Sequence, residues 1–137
     1  MADEAVITRL YGDNGDKMEF TVTSGTAIPK GSIMKMTDPK TAIINSGAGD
    51  ILCGIADFEK SATDGLTTMT IVTNCEAKLK VVAGGSAVLG SDVRISATEN
   101  QIDTLTSLDG ETGKKLGKSL ETGAAGETVL VRVHTLS

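Results

Sequence analysis

The chain matches itself when its sequence is shifted by 59 residues. Phe20–Gly25 lies over Leu79–Gly84, and Gly31–Met36 lies over Gly90–Ile95. Beyond these stretches the register slips by a few residues, but 51–72 and 114–133 keep the same order of apolar runs and glycines. Two copies are too few for a solenoid, so the match favours two similar units that close on each other in one small domain. Identities between the halves are few, and a chance likeness of two glycine-rich segments stays open.

The residue pattern within each copy is that of β-strands. Apolar and polar residues alternate in Met18–Val22, Met69–Ile71 and Val129–Val133, which places successive side chains on opposite faces of a strand. Sixteen glycines provide turns and bulges between these runs. The sequence therefore predicts an all-β fold with little helix, a small β-barrel or sandwich built from two similar β units. Residues 107–122 are the one place where we expect a short helical turn.

The first residues lie outside the repeat. Residues 1–16 are predicted to form an N-terminal arm and the first turn, because Asn14-Gly15 is a strong hairpin-turn signal. Residues 17–137 are then predicted to form a single β domain. Its two pseudo-repeats are 17–75 and 76–137.

The composition restricts the classes of partner. Tyr11, Phe20 and Phe58 are the only aromatic residues, so the core depends on many small aliphatic contacts and would gain from a partner subunit. A net charge of -5 without a dense Lys/Arg run argues against binding nucleic acid. No stretch approaches the length needed to span a membrane, and the acidic start lacks a signal-peptide pattern. We expect a soluble protein made in the cytoplasm, with no nucleic-acid or membrane partner.

No group of side chains predicts a catalytic or metal site. Cys53 and Cys75 have no second pair or His cluster near them in sequence, which favours two free buried thiols over a disulfide. His134 is the only histidine, and the sequence indicates no nucleophile or orienting acid that would act with it. The acids in 12–16 lack the glutamate of a calcium loop, and 110–115 lacks the first Gly and the Ser/Thr of a phosphate loop. We expect no enzyme activity, no cofactor and no metal.

The triplet Met34-Lys35-Met36 is the sharpest local motif. Biotin-carrying domains present their modified lysine in such a triplet, at the tip of the hairpin that joins two β halves. Here the triplet lies inside the first half, and its counterpart Val93-Arg94-Ile95 has the same apolar-charged-apolar alternation, which any strand with one wet face requires. A carrier domain is the least favoured of the functions considered.

A spaced series of glycines and neighbouring residues runs through most of the chain: Ala27, Gly31, Gly54-Ile55, Gly65, Gly90, Asp92-Val93, Gly117 and Gly126-Glu127. This series, with the strands between its members, resembles the pattern of the capsid decoration, or cement, proteins of tailed bacteriophages and related viruses. The likeness covers most of residues 5–134. A fainter likeness to the lambda head decoration protein covers Gly49–Val82.

The resemblance implies a β-tulip-like fold and a homotrimer on the outer surface of the virion head, where it would bridge and stabilise the major capsid proteins. We expect the N-terminal arm to contact the capsid by adding a strand to its edge, although the same segment equally fits an ordinary first strand of the barrel. The predicted arm residues are Ala5, Val6, Ile7, Leu10 and Tyr11. The predicted turn and scaffold glycines are Gly25, Gly31, Gly54, Gly84, Gly90, Gly117 and Gly126.

A second class of function stays open beside the cement protein. A virion-surface adhesin or carbohydrate-binding module would also be a small β domain without catalytic residues. The low aromatic content weighs against it, because sugar faces usually stack on aromatic rings.

Overall fold

The structure is a computed structural model, which describes residues 4–38, 40–44, 52–96, 98, 100–104 and 115–135. The described residues contain thirteen β-strands and no helix. The predicted all-β class, with two similar β units, is therefore confirmed. Within these ranges there is accordingly no helix with the length and hydropathy that a membrane crossing requires.

The first unit is a closed five-stranded barrel. Strand β1 (Val6–Leu10) precedes it along the chain, and its own strands are β2 (Met18–Thr21), β3 (Ile33–Asp38), β4 (Thr41–Ile44), β5 (Leu52–Ala56) and β6 (Thr68–Val72). They follow one another around the barrel in the order β2-β4-β3-β5-β6, and β6 closes on β2. The β2–β4 pair is parallel, whereas the other neighbours are antiparallel.

The second unit repeats this topology. Its strands are β7 (Asn74–Val81), β8 (Ser86–Ala87), β9 (Asp92–Ile95), β10 (Gln101–Thr104), β11 (Lys115–Ser119), β12 (Gly123–Ala124) and β13 (Thr128–His134). The ring runs β7-β10-β9-β11-β13 and closes where β13 pairs with β7. Here too the first pair, β7–β10, is parallel. Each unit thus closes on itself, and the chain is a tandem of two barrels.

A backbone hydrogen bond within the first barrel has an equivalent within the second, with donors 59 residues apart, as in the sequence match, and acceptors 63 residues apart, where the register has slipped. Gly31 N–H donates to the carbonyl of Ala56 at 3.0 Å, and Gly90 N–H donates to that of Ser119 at 2.8 Å. The pairing of the strands that close each barrel repeats as well. Phe20 is opposite Met69 in the first barrel, and Leu79 is opposite Val129 in the second. All four of these side chains are buried. The duplicated order of glycines therefore reflects a duplicated backbone.

The barrels pack through one face of the first. Leu52 and Ile55 on β5 are buried in a core that they share with residues of the second barrel. The equivalent positions on β11 are Lys115 and Lys118, and Lys115 forms an ion pair with Asp92 at 3.3 Å. Because the matching face of the second barrel is charged, it does not offer the same apolar surface to a third barrel.

Two local expectations are wrong. The turn at Asn14-Gly15 has left-handed φ values of +57° and +94°, but it is not a hairpin, because β1 pairs with β7 instead of β2. The reason is packing, because Ile7 and Leu10 of β1 pack against the hydrophobic cluster to which the second barrel contributes most of the residues. Part of the expected helical turn, Lys115–Ser119, is strand β11. Residues 107–114 of that expectation lie outside the described residues. The predicted boundaries at residues 16 and 75 stay predictions.

Candidate interaction surfaces

The first strand lies outside both rings. It pairs antiparallel with residues 75–78 of β7. Val6 is opposite Lys78 and Leu10 is opposite Cys75, with a bulge between Ile7 and Arg9. In the order of the sheet β1 is an edge strand. Edge strands carry backbone groups that can pair with another chain. β1 is therefore the first candidate for a contact with a partner.

The predicted arm residues are divided between the protein's own core and its surface. Ala5 is buried, Ile7 and Leu10 pack against the core, and Val6 is 61% exposed. The segment is thus held on its own domain along one side. A groove of about 800 Å³ runs beside it, with Pro29–Gly31, Asp57 and Glu59 among the residues that line it. Whether this strand contacts a capsid stays a prediction.

A glycine anchors the start of this segment. Ala5 N–H donates to the carbonyl of Gly31 at 2.8 Å. Gly31 has a φ of +89°, and a Cβ at this position would overlap the carbonyl oxygen of Ala5. Glycine is required here both for the backbone conformation and for the close approach of the segment at Ala5 to the turn at Gly31. Gly31 was predicted as a scaffold glycine, and its contact with Ala5 is visible only in the structure.

The end of the segment is fixed by a polar cluster around Tyr11. Its hydroxyl donates to Oε2 of Glu76 at 3.0 Å, and the Arg132 guanidinium lies 4.2 Å from the ring centroid. The hydrogen bond with Glu76 is the largest influence that raises the pKa of the Tyr11 phenol. The contact with arginine over the ring face is a cation–π interaction. Tyr11 therefore holds the strand to β7 and β13 instead of extending toward solvent.

The other predicted glycines fall into two groups. Gly54 lies opposite Met34, and Gly117 lies opposite Val93, at equivalent positions beside a bulge in each barrel. A Cβ at either site would overlap a backbone carbonyl of the neighbouring strand. The remaining glycines are exposed or in turns, and of these only Gly84, Gly90 and Gly126 have positive φ, whereas Gly25 does not.

The residues considered for chemistry do not come together. Lys35 of the Met-Lys-Met triplet lies in the middle of β3, paired with Ile43 on one side and Leu52 on the other, and not at a hairpin tip. His134 lies at the end of β13. Cys53 and Cys75 are buried and free, as predicted. Among the described residues, no three His, Cys, Asp or Glu side chains are placed to hold a metal ion.

Sequence reasoning missed an apolar patch at one end of the second barrel. Val88, Leu89 and Leu120 are 49%, 65% and 39% exposed. The signal was present in the 59-residue match, which places Val88 and Leu89 over Pro29 and Lys30. An aliphatic pair stands in this exposed turn where the first barrel has a proline and a lysine, which makes the turn a second candidate for a contact with a partner.

No family model matches the chain, and no curated protein does. Among solved structures, the chain is similar to the N base of the head fiber gp8.5 of bacteriophage phi29, with a TM-score of 0.51. The alignment covers 88% of this chain and 97% of that chain, at 11% sequence identity. At this identity the likeness is one of fold. The fold of this chain is therefore similar to that of a head fiber base.

Proposed function

We propose that this chain is a structural protein of a bacteriophage head, and more specifically a decoration protein that binds the outer surface of the capsid. The observation that carries the proposal is the likeness of fold to the head fiber base, which extends over nearly the whole of that chain. The resemblance of the sequence to capsid decoration proteins is what favours a decoration protein over other structural proteins of the head. Because fold alone does not determine function, the proposal needs a binding experiment.

In this function the protein acts by binding and not by catalysis. It would assemble as a homotrimer and bridge neighbouring major capsid proteins, so that the expanded shell is stabilised against rupture. The edge strand β1 would be one capsid contact, since its outer side faces an open groove and Val6 is exposed. Strand addition at such an edge supplies affinity through main-chain hydrogen bonds.

Co-sedimentation with purified heads tests the proposal. The protein is mixed with empty heads of the phage whose genome encodes it, before and after expansion, and the heads are pelleted. We expect saturable binding to expanded heads, together with a higher melting temperature of the shell. Absence of binding to either form of head contradicts a decoration function. Analytical ultracentrifugation of the free protein tests the trimer separately.

A paired variant tests the contribution of β1. Val6→Asp places a charge on the exposed surface of the edge strand, and we expect weaker binding to expanded heads. Met18→Asp is the control, since Met18 is also exposed, at 39%, but lies on β2, which pairs with β4 and β6 and not with β1. Equal binding by the two variants would remove β1 from the capsid contact while leaving the proposed function intact.

A further inference from the structure

The apolar patch on the second barrel lies on two neighbouring loops. Leu89 N–H donates to Oγ1 of Thr122 at 3.0 Å, and Gly90 N–H donates to the carbonyl of Ser119 at 2.8 Å. These bonds hold the turn at 88–90 against the end of β11, which places Leu120 beside it. Val88 and Leu89 on the turn and Leu120 on the neighbouring loop are therefore exposed on segments that hydrogen bonds hold together. A preordered apolar surface of this kind is typical of a binding site.

The equivalent turn of the first barrel shows what such a turn can bind. The turns at 29–31 and 88–90 share their φ values, with +89° at Gly31 and +82° at Gly90. They also share the backbone hydrogen bond that closes the turn. Ser32 N–H donates to the carbonyl of Pro29, and Ser91 N–H donates to the carbonyl of Val88. In the first barrel, the extended segment at Glu4 and Ala5 covers this turn.

The second turn has the same closing hydrogen bond and a similar φ at its glycine, but none of the described residues covers it in this way. The Gly31 carbonyl accepts a hydrogen bond from Ala5, and a Cβ on Gly31 would meet Glu4 and Ala5. Around Gly90 the described residues leave open space, with no atom within 4 Å of the position of a Cβ. Within the described part of the chain, the turn at 88–90 is thus an open copy of a turn that binds the segment at Glu4 and Ala5.

We propose that the turn at 88–90 binds an extended, apolar segment of the capsid shell protein. This inference rests on the proposed function. The segment would donate a backbone N–H to the Gly90 carbonyl, as Ala5 does to Gly31, and its apolar side chains would cover Val88, Leu89 and Leu120. The aliphatic side chains at this turn, in place of Pro29, Lys30 and Asp57, select a more apolar segment than the one at Glu4 and Ala5.

The occupant is another protein instead of a second copy of this chain. In each copy, the segment that covers such a turn is already bound at Gly31 and continues into β1, which is paired with β7. A second copy would have to release this segment and expose Ala5, Ile7 and Leu10, which now pack in or against the core. A shell protein brings a segment without that cost.

The test compares two variants of the full chain in co-sedimentation with purified, expanded heads. Leu89→Asp with Leu120→Asp places two charges on the patch, and we expect an affinity loss of about tenfold or more, since each aliphatic contact is replaced by a carboxylate that must lose water. Leu66→Asp is the control, because Leu66 is 40% exposed on the first barrel, as exposed as Leu120. The melting temperature of each free variant is measured to establish that it folds.

Each outcome decides between the alternatives. Loss of binding by the double variant alone, with its oligomeric state unchanged, supports the proposal. Wild-type binding that the double variant retains overturns this inference and leaves the proposed function intact. An oligomer that dissociates in the double variant assigns the patch to an interface between copies, which also overturns it. A wild-type protein that does not bind heads at all contradicts the proposed function itself.

Discussion

The side-chain oxygen Oδ1 of Asn100 accepts a hydrogen bond from the backbone N–H of Ile33 at 2.9 Å, across the contact between the two barrels. Both residues are fully buried, and Asn100 has a left-handed φ of +60°. Asparagine tolerates this conformation better than most residues and also provides the acceptor. Asn100 therefore adopts the left-handed conformation of its turn in the second barrel and also provides the acceptor for a backbone N–H of the first barrel.

Asn100→Ala should destabilise the fold by about 1–3 kcal/mol, because it leaves the buried Ile33 N–H without this acceptor and keeps a Cβ at positive φ. Asn100→Gly separates the two effects, since glycine relieves the backbone strain and still lacks the acceptor. Urea unfolding measures both variants. We expect the glycine variant to be destabilised as well, because the lost hydrogen bond outweighs the relieved strain; a glycine variant more stable than the wild type would contradict this role of the hydrogen bond.

Lys60 is a buried ammonium at the end of the first barrel. Its Nζ donates to the carbonyls of Ser24 and Thr26 at 2.7 and 2.9 Å, and Asp64 lies 3.6 Å away. Lys60→Met should cost about 2–4 kcal/mol, because the methionine fills the space but leaves these carbonyls without a donor. Lys30→Met, at an exposed lysine, is the control and should unfold like the wild type. Equal urea midpoints for the two variants would contradict this role.

Alanine at three glycines should give graded effects on stability. At Gly54 and Gly117 a Cβ would overlap a backbone carbonyl of the next strand, so each alanine variant should lose about 2–3 kcal/mol or more. At Gly25 nothing lies within 4 Å and φ is not positive, so alanine should change the free energy of unfolding by less than about 1 kcal/mol. Chemical unfolding ranks the three variants. A Gly25→Ala loss as large as the others would refute the packing argument.

The Asp16 carboxyl should contribute to the loss of folding stability at acidic pH. Hydrogen bonds from the Asn74 side chain and the Asp13 backbone N–H lower the pKa of this carboxyl below its ordinary value of 3.8. A group with a depressed folded-state pKa stabilises the fold fully above its unfolded pKa, and this contribution disappears as the pH falls through the folded pKa. Asp16→Asn should therefore flatten the loss of stability that accompanies acidification below the ordinary carboxyl pKa of 3.8.

Urea midpoints as a function of pH make this measurement. Asp13→Asn is the control, because it changes an exposed carboxylate in the same turn and retains the backbone N–H that donates to Asp16. Parallel pH profiles for Asp16→Asn and the wild type would show that the Asp16 carboxylate is not linked to folding.

The two thiols should be unreactive in the folded protein. Burial raises the pKa of both Cys53 and Cys75 to about 12, so almost no thiolate is present at neutral pH. Iodoacetamide should alkylate neither cysteine in buffer at about pH 8, and both in concentrated urea, as read by intact mass. Rapid alkylation of the native protein would contradict the buried position of these side chains.

Much of the local structure was accessible from the residue pattern. Alternation in Met18–Val22 and Val129–Val133 indicated which residues of a strand face a core, because successive side chains point to opposite faces. The glycines at Gly31 and Gly90 marked equivalent turns, since few other residues adopt positive φ at low cost. Neither signal depends on which strands are neighbours, and so each could be interpreted from sequence alone.

The sequence by itself determined strands, turns and their duplicated order, because these follow from side-chain periodicity and backbone preference within a few residues. Tertiary structure alone decided that each half closes its own barrel, that β1 pairs with β7, and that Asn100 bonds to Ile33. Pairing partners depend on which closure buries the most apolar surface and satisfies the most backbone groups, a property of the whole chain. The uncovered turn at 88–90 became visible only when its equivalent at 29–31 was seen in contact with Ala5.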